Sequence, residues 1–221
     1  KHGRRGNMSD ERLNRPPQNT YEDALKIAWQ TLEGKEAARI AADGLLSFDT
    51  STGLLHIPFL ADYYCASLAE KKVMFENGKE IYPFLSVLLL HYLMGVNERP
   101  LSGEWISFRE FEGGDTYIGS FTNRTLVPLK NTFGERPDLI EKAAAPLGAR
   151  RLEFGDVGLS IPVFPKLPLA IVAWLGDDEF PPDVNVLYDK TANQILRTED
   201  LAICGALTMS KLRKNAEKLL K

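Results

Sequence analysis

Residues 46–59 read LSFDTSTGLLHIPF, and the period of their apolar side chains decides the fold class. Leu46 and Phe48 alternate with Ser47 and Asp49, and Leu55, Ile57 and Phe59 repeat the alternation beyond a polar turn ending at Gly53. A period of two places alternate side chains on one face of a strand. Glycine at the turn can supply a positive φ, so the stretch predicts a β-hairpin. Residues 63–68 and 73–75 read as further strands, with Asn77-Gly78 as a tight-turn signal.

Working outward, the period becomes helical on the N-terminal side. Tyr21, Leu25, Ala28, Trp29 and Leu32 recur at helix spacing behind Thr20, an expected N-cap, with Glu22 and Asp23 at the positive helix end. Gly34 interrupts, and residues 35–43 predict a second short helix that Gly44 terminates. Residues 1–19 are polar and carry Pro16 and Pro17, as a flexible leader would. On the C-terminal side, FLSVLLLHYLM at 84–94 is apolar all round, which predicts a helix in the interior, stopped at Gly95. Residues 105–111 (WISFREF) alternate as a strand, and 138–147 form a short helix after Pro137. Residues 151–154 and 159–164 predict a second hairpin around Gly155-Asp156. The apolar run 169–175 reads as a central strand covered on both faces, 184–188 as another strand, and Thr198 opens a final helix. Strands and helices do not alternate regularly. The expected class is therefore α+β, with a mostly antiparallel sheet, a buried helix and flanking N- and C-terminal helices, in one domain over residues 20–221.

Composition narrows the function. The 221 residues are 44% apolar and 26% charged with a net charge of −3, without the basic stripe that nucleic acid demands. Basic residues cluster at both ends, Lys1 to Arg15 and Lys211 to Lys221, where a polar leader and a solvated helix account for them. Cys65 and Cys204, far apart, form neither a disulfide framework nor a metal cluster and fit a reducing compartment. The longest apolar run is about half a membrane span. The expectation is a cytoplasmic protein binding neither membrane nor nucleic acid.

No phosphate loop, Cys-x-x-Cys, His-Glu-x-x-His or Gly-x-Ser-x-Gly occurs, and with only His2, His56 and His91 no multi-histidine metal site is predicted. His91 stands out because a polar side chain in so apolar a helix must find a hydrogen bond. It is either a core histidine bonded to a carbonyl or to an acid such as Glu110, or a cofactor ligand or general base. Trp174-Leu-Gly-Asp-Asp-Glu-Phe-Pro-Pro182 follows the buried strand. Its carboxylates Asp177, Asp178 and Glu179, joined by Asp189 from the next strand, could hold a hard cation or an amine, or serve only as a solvated turn. Around Trp105, Arg109 and Glu110 adjoin in the expected strand. Arg109 could clamp an anion bidentately or pair structurally with residues 177–179. Glu199 and Asp200 read as helix-start charges.

Five ordered segments, Leu90-His-Tyr-Leu93, Trp105-Ile-Ser-Phe-Arg-Glu110, Leu175-Gly-Asp-Asp-Glu-Phe-Pro181, Val186-Leu-Tyr-Asp189 and Thr198-Glu-Asp-Leu201, resemble the domain of unknown function 3786 family of bacteria and archaea. The resemblance implies an association with anaerobes. Some relatives carry an added four-cysteine iron–sulfur segment of the kind found in corrinoid proteins of one-carbon metabolism. Cys65 and Cys204 cannot supply that segment, so the corrinoid link is an association only.

The leading expectation is an accessory protein of anaerobic metabolism that binds a small molecule or cofactor of unspecified identity. Its polar groups would be His91, Arg109, Glu110, Asp177, Asp178, Glu179 and Asp189, lined by Trp105 and Trp174, as pocket polar groups sit among apolar walls. The alternatives are an enzyme using Glu179 or Glu110 as acid or base beside Arg109, and a module for a protein partner.

Overall fold

The computed structural model describes residues 18–220; His2 and the expected leader lie outside them, save Gln18 and Asn19, which already belong to the first helix. That helix, α1 (Gln18–Leu32), buries Ala28 and Leu32. A second helix, α2 (Ala37–Gly44), ends one residue later than expected. The left-handed residue is Leu45 at φ 54, not Gly44, and its N–H closes the helix on the carbonyls of Ala41 and Ala42. Gly44 serves packing instead: a Cβ there would stand 3.1 Å from Leu46 and 3.3 Å from Val96.

The predicted hairpin forms from β1 (Ser47–Asp49) and β2 (Leu54–Phe59), with Gly53 at φ +70. Asp49 accepts hydrogen bonds from Ser51 and Thr52, which hold its carboxyl down at about 2. β3 (Asp62–Ser67) and β4 (Lys72–Phe75) extend the hairpin into an antiparallel sheet of order β1-β2-β3-β4.

The apolar helix is α3 (Pro83–Gly95), and it is interior as its composition requires. Leu88, Leu89, Leu90, Tyr92 and Leu93 are all buried. It runs parallel to α1: Tyr21 meets Phe84 edge-on at one end, and Lys35 donates to the Met94 carbonyl at the other. Tyr92 stacks on Phe164 at 4.1 Å and donates to the Gly44 carbonyl, tying α3 to the end of α2 and to the second sheet.

The expected strand over residues 105–111 is shorter. β5 (Trp105–Ser107) ends where Phe108–Glu110 tightens into a 3₁₀ turn. Three residues per turn bring Phe108 and Phe111 to one side, and both are buried, with Phe108 stacked 4.1 Å from Phe121. Residues 114–133, for which the period predicts no element, are helical: α4 (Gly114–Phe121), a π turn (Thr122–Leu126) and α5 (Val127–Phe133). α6 (Pro137–Ala144) precedes β6 (Arg150–Leu152), β7 (Val157–Phe164), β8 (Leu167–Trp174) and β9 (Asp183–Asp189).

The second sheet has order β5-β9-β8-β7-β6, antiparallel throughout, with β8 central and buried on both faces from Leu169 to Ala173. A short α7 (Ala192–Ile195) leads into α8 (Thr198–Leu219). The two sheets meet where Leu60 N–H donates to the Val163 carbonyl and Phe59 packs 4.6 Å from Phe164. Buried residues of both sheets and of α3 form one continuous core. The fold is α+β, and no helix among the described residues is long and apolar enough to cross a membrane.

Candidate functional site

His91 projects from α3 toward the start of α8. Its Nδ1 lies 2.9 Å from Oδ2 of Asp200, whose side chain is only 8% exposed against 24% for the imidazole. The partner acid is thus Asp200, not Glu110, and Asp200 is more than a helix-start charge. Two neighbouring contacts hold this end of α8 in place: Thr198 Oγ1 donates to the Glu112 carbonyl at 2.6 Å, and the buried Tyr188 hydroxyl donates to the Leu201 carbonyl at 2.8 Å. A carboxylate only accepts, so Nδ1 carries the hydrogen in this contact, and in the neutral ring Nε2 keeps its lone pair. Among the described residues Nε2 has no hydrogen-bond partner, and it is not a buried unsatisfied atom. An imidazole fixed through one nitrogen by a carboxylate and open at the other can ligate a metal-centred group or accept a proton.

The other sequence candidates are not gathered around it. Trp105 pairs with Asp189 at one end of β9, and Trp174 pairs with Asp183 at the other. Six strand steps put the two tryptophans about 20 Å apart. Asp189 is fully committed: Ser102, Gly103 and Thr191 give its carboxylate five hydrogen bonds of 2.6–3.1 Å. Burial alone would raise its pKa, but these bonds outweigh it and hold the carboxyl below the usual value. Arg109 pairs with Asp115 at 3.3 Å on the surface, not with residues 177–179. Glu110 accepts from the Ser107 N–H at 2.7 Å in a reciprocal cap of the 3₁₀ turn, which lowers its pKa. An acid or base working near neutrality needs the opposite shift.

Asp177 closes its own loop, accepting from the N–H groups of Glu179 (2.9 Å) and Phe180 (2.7 Å) while its N–H donates to the Phe180 carbonyl. Those bonds lower its pKa. Asp178 and Glu179 stand exposed beside it. Among the described residues no group of three or more His, Cys, Asp or Glu side chains is placed to hold a metal ion. Cys65 faces His56 across β2 and β3, with Sγ 3.5 Å from Nδ1, and Cys204 lies buried in α8. Burial raises both thiols, aided by Glu76 at Cys65 and Asp200 at Cys204. Two inert thiols on separate elements do not fit an iron–sulfur cluster.

Two residues escape a reading of the sequence. Asp200 had a signal: Asp200, Cys204 and Thr208 recur every four residues, and all three are buried. Lys166, 6% exposed, had none. Its ammonium donates to the carbonyls of Asn97 and, at 2.6 Å, Arg99, and its backbone N–H to the Tyr92 hydroxyl at 3.1 Å.

No curated protein and no solved structure matches the chain. The model of one family, a domain of unknown function (DUF3786), matches residues 36–211, a span that contains α3, both sheets and the His91–Asp200 pair, and the chain belongs to that family.

Proposed function

We propose that the protein is a cytoplasmic accessory protein of anaerobic metabolism that binds a small molecule or cofactor through Nε2 of His91. The family resemblance suggests corrinoid-linked one-carbon chemistry as its setting. The observation that supports this reading is the division of labour on one ring: buried Asp200 fixes Nδ1, while Nε2 stays unpartnered among the described residues and reachable from solvent. Were a corrinoid the ligand, His91 would hold its metal through Nε2, and Asp200 would orient the ring and raise its basicity.

The test is native mass spectrometry of the protein purified without oxygen from its own organism, beside a His91→Gln variant expressed there. A bound mass that denaturation releases and that the variant lacks supports the reading. An apo wild type, or a variant that keeps the bound mass at full occupancy, overturns it.

A further inference from the structure

The segment after β8 is not used by the His91 site, and it is built to be met from outside. Trp174, Leu175 and Phe180 are 43%, 55% and 67% exposed, and Phe154, 43% exposed, stands in the neighbouring β6–β7 turn. One carboxylate joins the two turns: Asp156 Oδ2 accepts from the Leu175 N–H at 2.7 Å, and the Asp156 N–H donates to the Ala173 carbonyl. Four of the twelve exposed large hydrophobic residues among those described thus share one end of the second sheet. Phe180 does not anchor its loop onto the body of this chain.

Charge and rigidity say what kind of partner fits. Asp177, Asp178 and Glu179 lie in the segment, Asp183 opens β9 just beyond it, Glu153 and Asp156 flank Phe154, and no Lys or Arg occurs between Lys166 and Lys190. Lys130 reaches Asp183 at 3.3 Å, which leaves Asp178 and Glu179 without a cation among the described residues. The loop is also held in shape. Asp177 bonds it internally, and a Cβ on Gly176 would stand 2.6 Å from the Pro182 ring. A rigid display of aromatic anchors loses little entropy on binding, and aromatic residues dominate interface energetics.

We propose that residues 174–182 and Phe154 form a docking surface for a segment of another protein in which Lys or Arg flanks an aliphatic or aromatic anchor. Carboxylates around the anchors would steer and select such a segment. A second copy of this chain is the poorer occupant, because a two-fold contact would set the same acidic patches against each other.

The test is selection of a displayed random-peptide library on the wild-type protein, with the Trp174→Ser/Phe180→Ser double variant as counter-target. Both side chains are exposed, and an unchanged melting temperature confirms that the variant is folded. Expected clones combine Lys or Arg with Leu, Ile, Phe or Trp, bind the double variant about ten-fold more weakly, and weaken with added salt. Asp178→Asn/Glu179→Gln should weaken them too, while Tyr63→Ser, on the other sheet, should not. Clones that ignore the double variant, or that are neutral or acidic, overturn the proposal. So does wild-type dimerisation that the double variant abolishes, since the occupant would then be a second copy.

Discussion

Asp200 and His91 are 109 residues apart in the chain and 2.9 Å apart in space, and the carboxylate is the more buried of the two. That order of burial means Asp200 positions the ring, while one edge of the ring reaches solvent. The neutral imidazole is expected to carry its proton on Nδ1, which ¹⁵N spectra of histidine-labelled protein read directly. Asp200→Asn should weaken this preference and cost about 1–3 kcal/mol of stability in urea unfolding. A wild-type ring protonated on Nε2 would remove the basis for the proposed ligand contact.

Lys166 holds the chain that leaves α3. Its ammonium is the donor to both the Asn97 and Arg99 carbonyls, so Lys166→Met leaves two acceptors without that partner. The expected loss is roughly 2–3 kcal/mol, with faster amide exchange over residues 97–104. A loss under about 0.5 kcal/mol would mean that water replaces the ammonium at no cost.

Asp189 predicts an acid dependence. Its folded pKa lies below the ordinary 3.8, because the bonds from Ser102, Gly103 and Thr191 outweigh burial. A carboxyl depressed on folding adds stability that is complete above the unfolded value and drains away as pH falls through the folded one. Asp189→Asn should therefore be clearly less stable than wild type at pH 7, and the gap should narrow below about pH 4. Chemical unfolding of the two proteins across pH 2.5–7 checks this. A gap that stays constant would assign the effect to geometry alone.

Backbone conformation separates two small residues. Ala61 turns β2 into β3 at φ 65 and is exposed, so Ala61→Gly should stabilise the protein by about 1 kcal/mol. Gly95 has no such latitude: a Cβ there would fall 1.8 Å from the Ile195 carbonyl. Gly95→Ala should cost about 3 kcal/mol or more as α3 and α7 are forced apart. Thermal melts of both variants compare the two signs.

Legibility in the sequence followed the strength of local periodicity. The hairpin at β1–β2, the apolar helix α3, the central strand β8 and the α8 start could be read because each satisfies its pattern within a few residues. Residues 114–133 could not. Gly113-Gly114, Pro128 and a π turn interrupt the 3.6-residue period, and α4 and α5 pack against α8, which is distant in sequence. The strand expected through Phe111 failed for a related reason, since two aromatic side chains needed the same side of the chain. Leu45, not the neighbouring glycine, took the left-handed position, and Gly44 instead leaves room for Leu46 and Val96.

The sequence by itself determined the α+β class, the interior place of α3, the burial of β8 and the oddness of His91, because burial patterns are written in side-chain polarity. It also named the acidic, aromatic loop after β8. Only the tertiary structure decided which polar groups meet. Pairing along β9 set Trp105 and Trp174 at opposite ends of one strand, and the docking of α8 gave His91 its carboxylate. Contacts of that kind depend on strand register and helix packing, which join residues far apart in the chain and leave no local period to read.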